Sequence, residues 1–167
     1  NMPMKKLLFF FIVSLALSST AQQYKIAEGY KVVFSNPDVS GNFDELTATS
    51  LVFNDANLAQ SKLSFKIKVA SINTGNGLQN KHARAEEWFD AEKYPNITFK
   101  SNSVSKQGDA FIVKGIMNIH GVSKEMTLPF SFNDNSFSSQ FSVNRMDFGV
   151  GTMEGMSKKV SNEIKLD

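Results

Sequence analysis

The 167-residue sequence predicts an all-β fold: an antiparallel up-and-down barrel of eight strands, with a short helical insert between the third and fourth. Three observations carry this reading. Apolar residues recur at every second position over most of the chain beyond residue 22, the pattern of strands with one buried face. Clusters of Gly, Asn and Asp interrupt the alternation at short intervals, as antiparallel hairpins require. Phe is abundant, with 15 copies, and some strands are apolar on both faces: Phe111, Val113 and Met117 point one way, Ile112 and Ile116 the other. One face then packs a core while the other lines a cavity or meets the helix, which favours a barrel over a solid sandwich without a cavity.

The first strand signal is Tyr24, Ile26, Tyr30, Val32 and Phe34, closed by the turn Asn36-Pro37-Asp38. Leu51 and Phe53 end the second, before the polar run Asn54-Asp55-Ala56-Asn57. The third spans Leu63 to Ile72, the fourth Ile97 to Val104, the fifth Phe111 to Ile119, the sixth Met126 to Phe132, the seventh Phe137 to Val143 and the last Val160 to Leu166. Turns at Lys106-Gln107-Gly108-Asp109, His120-Gly121-Val122-Ser123 and Asn133-Asp134-Asn135-Ser136 separate the later ones. The last strand is expected to close weakly beside the first. Between the third and fourth strands, Ser71 to Phe99 breaks the alternation. There Leu78, Ala85, Trp88 and Phe89 fall on one side at helical spacing, and Pro95 ends the excursion.

The N-terminus reads as a cleaved secretory signal over residues 1–21, followed by one domain over 22–167. Lys5 and Lys6 form a basic region, Leu7 to Leu17 an apolar run short of the ~20 residues a membrane span needs, and Ser19-Thr20-Ala21 a small-residue cleavage site. Asn1-Met2-Pro3 precede Met4, the expected start, and read as a reading-frame remnant. The expected location is periplasmic or extracellular, with no stable membrane insertion once the signal is cut. Removal of Lys5 and Lys6 lowers the Lys plus Arg count from 18 to 16, level with the 16 Asp plus Glu. A balanced chain gives no electrostatic reason to expect nucleic acid or an anionic membrane as partner. With no Cys, an exported protein of this kind relies on its core alone.

Catalytic and metal chemistry find little support. The two His residues, His82 and His120, have no ligand spacing, so no metal and no cofactor beyond a bound ligand is expected. Asn73-Thr74-Gly75 has Asn where an aspartic protease motif needs a carboxylate, and Gly149-Val150-Gly151 lacks the strand and helix that frame a dinucleotide loop. Arg145, followed by Met146-Asp147-Phe148-Gly149, suits either a bidentate phosphate or carboxylate contact or a structural ion pair with Asp147 or another carboxylate across the barrel end.

Four ordered motifs carry a resemblance: S-I-N-T-G-N; K-H-A-R with W-F-D-A-E-K-Y-P-N-I-T-F; V-K-G-I-M-N-I-H-G-V-S-K-E-M-T-L-P; and N-R-M-D-F-G. Together they resemble the YceI-like family, known as polyisoprenoid-binding proteins, over nearly the whole mature chain. The resemblance implies a lipocalin-like barrel, exported, with a long apolar pocket for a polyisoprenoid or similar lipid, and a binder or carrier rather than an enzyme. His82, Arg84, Phe89, Tyr94, Pro95, Phe99, His120, Gly121, Arg145, Phe148 and Gly149 match the family's recurrent positions. Ala83 departs from it, standing where the family usually has Leu, which implies a wider pocket or a looser helix.

The expected ligand is an isoprenoid or other long-chain lipid, such as a polyprenyl phosphate or an isoprenoid quinone. The expected lining comes from Phe65, Ile67, Phe99, Phe111, Val113, Met117, Met126, Leu128, Phe130, Phe141 and Val143, with Arg145, Arg84 and His82 at the head-group end. A homodimer is left open. The rival reading is an envelope protein-interaction module with a small or empty pocket.

Overall fold

A computed structural model describes residues 20–167; the signal reading therefore lies outside the described residues except for Thr20 and Ala21. The fold is mostly β and antiparallel throughout. Twelve strands occupy this region in place of eight: β1 (Gln22–Gln23), β2 (Val33–Ser35), β3 (Ser40–Phe43), β4 (Leu46–Phe53), β5 (Lys62–Lys68), β6 (Ile72–Asn73), β7 (Asn96–Gln107), β8 (Ala110–Ile119), β9 (Val122–Asn133), β10 (Ser136–Ser138), β11 (Phe141–Asn144) and β12 (Glu163–Leu166). The four extra strands arise because the first, third and seventh predicted runs each split where the chain passes from one sheet to the other, and because β3 lies outside every predicted run.

Seven strands form a curled sheet in the order β1-β4-β5-β7-β8-β9-β10, and five form a smaller sheet, β11-β12-β2-β3-β6. The larger sheet makes a half-barrel. Its ladder shifts register between Ala48 and Ser50 in β4 and between Ser101 and Ser103 in β7, and such bulges bend a strand and raise its twist. The last strand sits between β11 and β2, with Leu166 opposite Phe34, and the Val33 and Asp167 backbones exchange hydrogen bonds of 2.7 and 2.9 Å. The expected weak closure is a short but regular ladder.

Inward parity follows the alternation closely. Phe111, Val113, Met117 and Ile119 of β8 are buried, as are Leu128 and Phe130 of β9. The outward apolar residues of β8 correct the sequence reading: Ile116 faces solvent at 37% exposure and neither lines a cavity nor meets the helix. The interior has two ends of different character. At one, Tyr24, Phe53, Phe111, Phe130, Phe132 and Phe137 pack ring against ring, with Phe53 4.8 to 5.8 Å from four of the others. At the other end the space is left open.

The helical insert is shorter than its apolar pattern suggests. Helix α1 (Gly77–Arg84) starts where the Asn76 side chain accepts hydrogen bonds from the Leu78 and Gln79 amides, and it ends at Ala85 in extended backbone. Leu78 lies 63% exposed, which corrects the expectation that it shares a buried face with Trp88 and Phe89. Those two residues lie past the helix, in a turn-rich segment tied back by Phe89 N–H to Ala83 O (3.1 Å) and Ala91 N–H to Arg84 O (2.9 Å). They anchor the insert on the core from there.

Candidate functional site

The open end is a cavity of about 330 Å³, at the lower limit of the range usual for small-molecule sites. The small sheet contributes Phe34, Phe43, Ile72, Val143, Ile164 and Leu166 to its wall. The large sheet contributes only Ile97 and Ile119, the first inward residue of β7 and the last of β8. Trp88, Phe89, Ala83, Gln79 and His82 cover it from the insert, and Phe148, Val150, Met156 and Val160 from the loop between β11 and β12. Exposed Gln79, His82 and Met156 mark its mouth.

Arg145 organises the loop side. It sits in a short 3₁₀ turn (Arg145–Phe148) capped by the Asn144 side chain, and its side chain folds inward to 4% exposure. All five guanidinium N–H groups are engaged: Nε donates to Ser161 O (3.3 Å), Nη1 to Val150 O (2.8 Å) and Met146 Sδ (3.2 Å), and Nη2 to Ser157 O and Val160 O (3.0 Å each). The guanidinium also stacks on the Trp88 ring, 5.3 Å from its centroid. Burial pushes its pKa down from the ordinary arginine value. None of these partners is a carboxylate, so the ion pair considered for Arg145, with Asp147 or another carboxylate across the barrel end, does not form. Gly151 is required beside it: φ is +74°, and a Cβ there would stand 2.6 Å from Nη1 and 2.9 Å from the indole.

Asp38 joins the same assembly. Its carboxylate accepts hydrogen bonds from both the amide and the hydroxyl of Ser161 (2.7 Å each), which hold its pKa below the ordinary value. The Ser161 carbonyl in turn receives Arg145 Nε and Asn36 Nδ2. The turn before β3, the loop and the cavity wall are thus one hydrogen-bonded unit.

Of the predicted site residues, the structure brings His82, Val143 and Arg145 to the cavity. Arg84 lies on α1 but turns its guanidinium to the Ile72 carbonyl (3.2 Å). Phe99, Phe111, Val113, Met117, Leu128 and Phe130 are inward-facing core residues that do not border the cavity, and Phe65, Ile67, Met126 and Phe141 are half-buried against that core. Of the lining residues missed, Phe34, Ile164 and Leu166 come from the first and last predicted strands, whose alternation was visible, and Phe43 from β3, which was not predicted; which end of the interior stays open was not legible.

His120 belongs to the framework. With φ of +53°, and Gly121 at +75°, it forms the two-residue turn joining β8 to β9, where Ile119 pairs with Val122. Its ring packs edge-on against Tyr94 with centroids 4.7 Å apart, and a Cβ on Gly121 would stand 2.5 Å from that same tyrosine. The His-Gly pair therefore docks the hairpin onto the insert. Among the described residues no group of three His, Asp or Glu gathers as a metal site.

The YceI-like domain profile matches residues 18–167. This chain belongs to the YceI-like family. The YceI protein of Salmonella arizonae is 28% identical over 97% of this chain and 94% of its own. Among solved structures, BcnA of Burkholderia cenocepacia superposes with a TM-score of 0.74 at 29% identity, covering 81% of this chain and 91% of that one. A more distant likeness, TM-score 0.54 at 17% identity over 82% and 88% of the two chains, is to a domain of Saccharophagus degradans described as polyisoprenoid-binding. The YceI-like fold thus accounts for the half-barrel, and the motif residues of this member divide between cavity wall (His82, Phe89, Arg145, Phe148) and framework (Tyr94, His120, Gly121).

Proposed function

We propose that this YceI-like protein is an exported, non-enzymatic binder or carrier of a long-chain isoprenoid or similar amphipathic lipid, of the polyprenyl phosphate or isoprenoid quinone class. One observation carries the reading: an apolar cavity whose wall holds a buried guanidinium that makes no direct ion pair among the described residues. Each methylene moved from water into such a wall contributes about 0.8 kcal/mol, so tail burial supplies affinity with few polar contacts. The Arg145 hydrogen bonds are all taken by the loop, so the guanidinium acts on a polar or anionic head group through its field and not as a hydrogen-bond donor. The cavity takes a segment of a long tail; the remainder extends through the mouth. The polyisoprenoid-binding description of the Saccharophagus domain is consistent with this ligand class. No catalytic role is assigned to His82, an exposed rim residue, or to His120 in its turn. Export rests on the N-terminal sequence pattern alone.

An organic extract of the purified protein, analysed by mass spectrometry, tests the reading. The wild type is expected to release a prenyl lipid, and Ala83→Phe, which places a ring in the cavity from α1, to release markedly less. Reproducible absence of any lipid, together with no uptake of prenyl quinones or prenyl phosphates, would favour a protein-interaction module instead.

A further inference from the structure

We infer that the rim of the cavity is a docking surface for anionic lipid bilayers, by which the protein collects or delivers its ligand at a membrane face; this rests on the lipid-binding reading above. Large apolar side chains are exposed at few places among the described residues, and two of the most exposed stand by this one mouth: Met156 at 75% and Leu78 at 63%, with Met153, at 48%, three residues before Met156 in the same loop. Met156 also borders the cavity, and Leu78 lies one helical turn from the mouth residue His82, on the same stripe of α1. Burying none of its own residues, α1 presents this stripe outward and is not using it for packing. Lys81 lies three residues from Leu78 on α1, and Lys158 and Lys159 follow Met156, against Glu154, the Ser161-bound Asp38 and, where the insert leaves the helix, Glu86 and Glu87.

Apolar tips flanked by lysines are the chemistry of a peripheral membrane contact, in which the tips enter the acyl boundary and the ammonium groups meet lipid phosphates. The geometry also suits transfer: a mouth pressed to the bilayer lets a tail slide between acyl chains and cavity without crossing water.

Flotation of the full protein with vesicles of phosphatidylcholine, with and without phosphatidylglycerol and carrying no prenyl lipid, tests the surface separately from the cavity. Binding is expected to the anionic vesicles, to fall by roughly tenfold in Leu78→Asp/Met156→Asp and in Lys158→Glu/Lys159→Glu, and to weaken with salt. Ile116→Asp, an exposed apolar position on the outer face of β8, is the control and is expected to bind as the wild type does. Equal binding by wild type and both double variants overturns the proposal, as does absence of binding to anionic vesicles. If the ligand reading itself were at fault, uptake of a prenyl quinone from detergent micelles would be absent whatever the vesicles show.

Discussion

Arg145→Ala is expected to lower the unfolding free energy by about 3 to 5 kcal/mol, one of the two largest effects of any single truncation in this protein. The guanidinium fastens the segment from Val150 to Ser161 to the cavity wall through four backbone carbonyls, and its contacts to Val150 and Ser157 are fully buried. Each buried carbonyl left without a donor costs about 1 to 3 kcal/mol, and the loop can relax to hydrate only some of them. Trp88 loses the cation stacked on its ring as well. Arg145→Lys keeps the charge but cannot fork to four acceptors, so an intermediate loss is expected. Urea denaturation with an unchanged slope reads both. A midpoint for Arg145→Ala indistinguishable from wild type would show that the loop holds itself.

Phe53→Ala is expected to cost about 3 to 5 kcal/mol for a different reason. Its ring, 3% exposed, is surrounded by Phe111, Phe130, Phe132 and Phe137, so truncation leaves a void that four rigid rings collapse into poorly. Phe53→Leu keeps most of the apolar volume and is expected to cost less. Because this cluster lies away from the cavity lining, Phe53→Ala is expected to leave ligand affinity nearly unchanged while the protein stays folded. A loss below about 1 kcal/mol would mean that this end is already loosely packed.

These two residues mark what was legible in the sequence. The period-two alternation placed Phe111, Val113, Met117, Leu128 and Phe130 on the inner face, and the structure puts each there. A strand pattern reports which face a residue takes but not how far along the interior it lies, so residues of the packed aromatic end and residues near the cavity read alike. Arg145 was singled out on chemistry, yet its carbonyl partners are unmarked backbone groups of Val150, Ser157, Val160 and Ser161, which leave no trace in side-chain identity. The insert misled for a related reason. Leu78, Ala85, Trp88 and Phe89 fit a helical period, but the chain leaves the helix at Ala85, and its largest apolar residues act from the turns that follow.

The proposed site for a prenyl lipid is the cavity under the insert, walled by Trp88 and Arg145. Trp88 is the sole tryptophan of the chain and borders that cavity, so its fluorescence reports occupancy directly. Titration of delipidated protein with a prenyl quinone is expected to quench Trp88 saturably at one ligand per chain, with Phe53→Ala behaving as the wild type and Ala83→Phe showing little quenching. A linear, unsaturable response identical in wild type and Ala83→Phe would contradict the account.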